Sequence, residues 1–145
     1  MSEPIVVVAG LGDTGVLVAT RLARTCRVVA VTTRPALVSG QELGVRLTDP
    51  ARWSRSYLVP LSRFRKLDGV DIRHGRIVSV DSGTSTVTID SEGTTSELRY
   101  DALVIATGVS NGFWRDDRVE PVDVIESRIA AAAHRLNDAG IIAVV

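Results

Sequence analysis

The feature that most restricts this chain is its start, PIVVVAGLGDTGVLVATRLAR, where an apolar run meets three spaced glycines and then a helical pattern. Ile5 to Ala9 holds no polar residue and is rich in β-branched side chains. Such a run suits a strand covered on both faces, as in a parallel sheet. From Thr14 to Arg24 the period changes: Val16, Ala19, Leu22 and Ala23 share one helical face, and Arg21 and Arg24 point away from it. Arg27 to Thr32 returns to strand character. Strand, turn, helix and strand within about 30 residues make a βαβ unit.

Gly10, Gly12 and Gly15 form G-x-G-x-x-G in the context that gives this weak pattern meaning, after a strand and at the opening of a helix. Gly10 permits the tight turn, Gly12 removes a side chain where a pyrophosphate would approach, and Gly15 lets the helix lie close to the sheet. The helix start then presents unpaired N–H groups to the phosphates. A turn with only a folding role is the alternative. Asp13 lies inside the motif, where it would repel a phosphate, face solvent or cap the helix. The carboxylate expected about 20 residues after the glycines, which would hold a ribose, is absent. Thr32 stands there, or Thr33 if the strand is one residue longer. One hydroxyl offers less than the charge-assisted bonds of a carboxylate. Arg34 could approach a phosphate or an adenine face, and a 2′-phosphate reader is conceivable, but weakened adenosine binding is the plainer inference.

Residues 33–69 are irregular, broken by Pro35, Gly40, Gly44 and Pro50. A short helix is predicted from Leu61 to Leu67, with Leu61, Phe64 and Leu67 on one face and Asp68-Gly69 ending it. Val70 and Ile72 then alternate. RIVSVDSGTSTVTIDSEGTTSELRYD reads as an antiparallel meander, with turns at Asp81–Thr84 and Ser91–Thr94. DALVIATG is a further buried strand ending on a glycine. A helix is expected over Val122 to Asn137, turning Ile125, Ile129, Ala132, Ala133 and Leu136 inward, and Ile141 to Val145 reads as a last strand.

With 145 residues, 45% of them hydrophobic, one core is within reach, since a chain of this size buries roughly 68% of its unfolded surface. The 17 basic and 17 acidic residues cancel, and no basic face argues for nucleic acid. Arg52, Arg55, Arg63, Arg65 and Lys66 read as a solvated face. Cys26 is the only cysteine, which excludes an internal disulfide and a dithiol motif and suits a small buried thiol. The N-terminus does not read as a signal peptide and no run of 18 apolar residues exists, so a cytoplasmic location is the default expectation. His74 and His134 lack further ligands at metal spacing, so no metal site is expected. No G-x-S-x-G is present, and no catalytic side chain is assigned. Trp53 and Trp114 read as core or domain-interface side chains, with exposure toward an absent domain as the alternative.

GLGDTG, the meander and YDALVIATG, in that order, resemble the N-terminal FAD-binding half of the two-dinucleotide-domain pyridine nucleotide-disulfide oxidoreductases. Within them the pattern looks most like the type II NADH dehydrogenases and the apoptosis-inducing-factor-like quinone reductases. The resemblance implies an α/β, Rossmann-like FAD/NAD(P)-binding fold, a parallel sheet with an antiparallel β-meander insertion. It implies FAD pyrophosphate at Gly10, Gly12 and Gly15, and Thr32 in place of the ribose-binding glutamate. It places adenine by the backbone of Arg76 and Ile77, and the strand end Ala106, Thr107 and Gly108 close to the cofactor. Residues near Arg34 to Gly44 and Pro60 would run beside the flavin.

By the same resemblance, residues 1–140 are the FAD-binding domain and 141–145 the first strand of a missing NAD(P)H-binding domain, so the chain is expected to be truncated. The implied activity is hydride transfer from NAD(P)H through flavin to an acceptor such as a quinone, with NAD(P)H bound only in a complete protein. The expected partners are a dinucleotide cofactor and either a second copy or a complementing domain. Two other readings stay open: a nucleotide-binding module without redox activity, and an inactive structural remnant.

Overall fold

The computed structural model describes residues 3–38, 43–108 and 121–140. Strand β1 (Ile5–Ala9), helix α1 (Asp13–Leu22) and strand β2 (Arg27–Thr32) make the opening unit. β3 (Ala36–Val38), α2 (Leu43–Thr48), α3 (Pro50–Tyr57) and β4 (Leu58–Pro60) follow. Next come β5 (Asp71–His74), the meander β6 (Arg76–Asp81), β7 (Thr86–Ser91) and β8 (Thr94–Arg99), then β9 (Ala102–Ile105) and α4 (Val122–Asp138).

The central sheet has four parallel strands in the order β5-β2-β1-β9. Its apolar runs divide between two cores because alternate side chains leave opposite faces. Val8, Val28 and Ala30 pack with Val16 and Ala19 of α1 and with Leu37, Leu61 and Leu67. Val7, Val29 and Val31 pack on the other face against Val87 and Ile89 of β7. The meander therefore covers the face that a second crossover helix would otherwise cover. Val7 and Val8 are both 0% exposed, and each such burial contributes roughly 1.5 kcal/mol. The expected mixed architecture is the one observed.

β5 passes into the meander through Gly75, whose N–H donates to the Thr32 carbonyl at 2.9 Å. A Cβ on Gly75 would stand 2.6 Å from Ser91 Oγ, 2.8 Å from the Asp90 carbonyl oxygen and 2.8 Å from Ile89 Cγ2. Ser91 is held there, because its hydroxyl donates to the His74 carbonyl at 2.7 Å. Gly75→Ala is expected to lower stability by about 2 kcal/mol, the cost of overpacking against backbone, measured by urea denaturation. The first meander turn is tied by Asp81, whose carboxylate accepts the Gly83 and Thr84 N–H groups at 2.8 and 3.1 Å. Hydrogen bonds from Thr84, and then from the Gly83 backbone, hold its carboxyl below the ordinary value.

Two local expectations change. Leu61 to Leu67 is not one helix but two 3₁₀ turns, Leu61–Arg63 and Arg65–Leu67, broken at Phe64 (φ −89°, ψ 85°). The i, i+3 spacing of Leu61, Phe64 and Leu67 fits a three-residue turn as well as an α-helix. Leu61 and Leu67 are buried, and Phe64 packs against the same core.

The irregular region also contains the short helices α2 and α3. Pro50 opens α3 instead of breaking structure, because the orphan N–H at a first helical position is dispensable. Asp49 caps that helix by accepting the Arg52 N–H at 2.9 Å. α4 packs on α2 and α3. Trp53 is 0% exposed, with the Arg46 guanidinium 5.0 Å from its ring centroid. Ser54 donates a hydrogen bond to Glu126 of α4. Trp114 and Ile141–Val145 lie outside the described residues.

Candidate functional site

The carboxyl ends of the parallel strands bring four separate stretches to one edge of the sheet. These are Gly10–Gly12 after β1, Thr32–Arg34 after β2, His74–Arg76 after β5 and Ala106–Gly108 after β9. Open parallel sheets bind ligands at this edge. The turns are stitched to the ladder: Gly10 N–H donates to the Val31 carbonyl and Ala106 N–H to the Ala9 carbonyl, both at 2.8 Å.

The three glycines have three distinct environments. Gly10 has φ +93°, and a Cβ there would lie 2.7 Å from the Ala106 carbonyl oxygen. A Cβ on Gly15 would overlap the Gly10 carbonyl oxygen and stand 3.6 Å from the Ala106 Cβ. These two glycines lock the turn, the helix and the ATG stretch together. Gly12 has nothing within 4 Å of its Cβ position, and so faces open space. It is the N-cap of α1, and no side chain caps that helix. Bare backbone at a helix start, open on its outer side, fits a pyrophosphate by shape and by charge.

Asp13 is exposed and does not cap the helix. It shares a helix flank with Val16, Leu17 and Thr20, and with them lines a cleft of about 550 Å³. Leu37, Phe64, Arg63, Arg65 and Lys66 form its other wall. This cleft meets the glycine turn only at Asp13. A second cleft of about 400 Å³ shares Phe64 and extends past Pro35, Asp68 and Ile72 to His74. Sequence reasoning treated the cations of the first cleft as a solvated face; all are exposed, as expected, but Arg63, Arg65 and Lys66 also rim a concave surface.

Thr32 is only 7% exposed. Its hydroxyl donates to the Arg34 carbonyl at 3.2 Å and accepts the Arg34 N–H at 3.3 Å. It thus holds its own turn, while Thr33 is exposed and Arg34 half-buried at the rim. His74 is the register partner of Thr32. Arg76 is exposed, whereas the Ile77 side chain packs into the meander core and its backbone pairs in register with Ile89. Thr107 and Gly108 are exposed, and Gly108 has φ +75°. Sequence reasoning missed His74 and Gly75 as members of this edge. The signal was the HG pair closing a strand, since a glycine there marks a close backbone approach. Among the described residues no three His, Cys, Asp or Glu side chains gather as metal ligands, and no helix is long and apolar enough to cross a membrane.

No protein-family model and no curated protein matches the sequence. Solved structures do match the fold. A NAD-dependent persulfide reductase from A. fulgidus aligns with TM-score 0.60 and 26% identity over 72% of this chain and 21% of that one. The reduced CoADR-RHD of Bacillus anthracis aligns with TM-score 0.71 and 20% identity over 94% of this chain and 28% of that one. NDH2 of Plasmodium falciparum, in complex with NADH, aligns with TM-score 0.65 and 18% identity over 76% of this chain and 23% of that one. The chain thus spans between 21% and 28% of the length of these three.

Proposed function

We propose, from a fold shared with the pyridine nucleotide-disulfide oxidoreductases, that this chain is the FAD-binding portion of an NAD(P)H-dependent oxidoreductase. The observation that carries this reading is the packing of the glycine turn against the ATG stretch, with Gly12 alone left facing open space. In this reading residues 1–140 are the FAD-binding domain, and 141–145 begin an NAD(P)H-binding domain.

When bound, FAD supplies the hydride and electron chemistry. The chain's own residues bind and orient. The N–H groups at the start of α1, behind Gly12, hold the pyrophosphate. Thr33, Arg34 and the backbone of Arg76 and Ile77 receive the adenosine end. Ala106, Thr107 and Gly108 would lie beside the cofactor at the sheet edge, where the Ala106 carbonyl abuts Gly10. No side chain of this chain is assigned a proton-transfer role. Substrate and electron acceptor belong to the whole protein, and a quinone is the acceptor this reading favours.

The test is an absorbance spectrum of the purified chain before and after incubation with FAD and desalting, with a melting curve beside it. The expected result is a retained flavin band near one per chain. Stabilisation of about 2.7 kcal/mol is expected at a hundredfold excess of FAD over its dissociation constant. A colourless protein with an unchanged melting curve in FAD overturns the proposal. Stabilisation by ADP but not by FAD would favour a nucleotide-binding module instead.

A further inference from the structure

We propose that the cleft between α1 and the two 3₁₀ turns is a second small-molecule site, one that takes an aromatic carboxylate. It meets the glycine turn only at Asp13, and it does not depend on the flavin reading.

The backbone break at Phe64 builds one wall. The i, i+3 spacing sends Leu61, Phe64 and Leu67 toward the core, so Arg63, Arg65 and Lys66 stand outward between them. Phe64 is only half-buried, and it lines the cleft as well as packing on the core. Opposite lies a flank of α1. Val16 is buried there, but Leu17 is 56% exposed although it lines the same concave surface. An apolar side chain left open in a cleft of about 550 Å³ gains from being taken out of water. Sites for small molecules occupy roughly 300–1,000 Å³, so the space suits a ligand of that class.

Charge selects the ligand. Arg63, Arg65 and Lys66 share the lining with a single carboxylate, Asp13, on the helix side. Among the described residues no carboxylate pairs with any of the three cations. Asp68, which follows the turns, lines the neighbouring cleft instead. An anion at the cationic wall therefore displaces no internal ion pair, and Asp13 repels it from the helix side, which fixes its direction. An aromatic body suits the remainder. Its ring can lie between Phe64 and Leu17, and arginine both stacks on aromatic faces and pairs with a carboxylate.

Amide NMR titration of the full chain with 2-naphthoate and with 2-naphthamide, which has the same shape without the charge, tests this. The expected result is saturable shifts at Leu17, Thr20, Phe64 and Lys66. Naphthoate is expected to bind about tenfold more tightly than the amide, the gain of one charge-assisted contact. High salt is expected to narrow the difference, since exposed charges are screened. Arg63→Gln, Arg65→Gln and Lys66→Gln together are expected to erase it. Leu17→Glu, at an exposed helix position, is expected to leave the amide spectrum folded and to abolish naphthoate binding. Equal binding of acid and amide overturns the inference, as do shifts confined to other residues or no saturable shift with either probe. Displacement of naphthoate by FAD overturns it too, because the two would then share one site. Each of these failures leaves the flavin reading standing.

Discussion

Gly12→Val is expected to abolish FAD retention while leaving the protein folded. The position is extended, with φ −76° and ψ −169°, so a β-branched residue fits its backbone. Nothing lies within 4 Å of its Cβ, so the new side chain meets no protein atom close by. Valine is a poorer N-cap than glycine, which costs about 1 kcal/mol, or roughly 2–4 °C in melting temperature. The ligand meets a different situation. The added methyls occupy the space through which a pyrophosphate reaches the first-turn N–H groups. Losing two such charge-assisted bonds, at roughly 1.5–3 kcal/mol each, weakens binding by at least about a hundredfold. FAD titration followed by absorbance, with a parallel melting curve, checks both halves. A variant that keeps its flavin shows that the phosphates do not pass over Gly12.

Gly15→Ala is expected to do the reverse, damaging the fold first. Its Cβ would overlap the Gly10 carbonyl oxygen, which is backbone and cannot rotate aside. Gly10 cannot retreat either, since its N–H is bonded to the Val31 carbonyl and its own Cβ position already abuts Ala106 and Thr107. Relief requires α1 to move off the sheet, which disturbs Val16 and Ala19 in the core. The expected loss is about 3 kcal/mol, seen as a fall in melting temperature of roughly 6–12 °C. A melting temperature within about 2 °C of the parent shows that the helix start yields more easily than its packing implies. The two variants differ by three positions in one turn, yet each acts on a different link: Gly12 on the ligand, Gly15 on the packing that shapes its site.

The elements read best from sequence were those whose burial is periodic. β1 and β2 are short runs covered on two faces, and α1 and α4 carry a continuous stripe, whereas β9, expected as a buried strand, is a half-buried edge strand with Ile105 70% exposed. The meander was legible because its turns are marked by Asp81 and Gly83, and by Asp90 and Gly93, whose side chains and N–H groups close them locally. α2 and α3 were not legible. α3 reads PARWSRSY, with Trp53 its only buried residue, so no stripe exists to be read. Its place depends on α4 and on Arg46, which come from other parts of the chain.

The candidate site divides the same way. The glycine spacing and the strand before it were enough to identify Gly10, Gly12 and Gly15 as a turn that brings backbone close to something, and at Gly10 and Gly15 only glycine tolerates the contacts made. The sequence alone also placed Thr32 or Thr33 where an acid is expected, which is a matter of counting along a strand. Tertiary structure alone decided what closes the turn: the Ala106 carbonyl lies far along the chain yet abuts Gly10. It decided that Asp13 faces a side cleft, that Thr32 spends its hydroxyl on Arg34, and that His74 and Gly75 stand beside it. Local pattern reports which face of an element is buried. It carries no record of which distant strand lies next to it, and in a parallel sheet every neighbour at the ligand edge is distant in sequence.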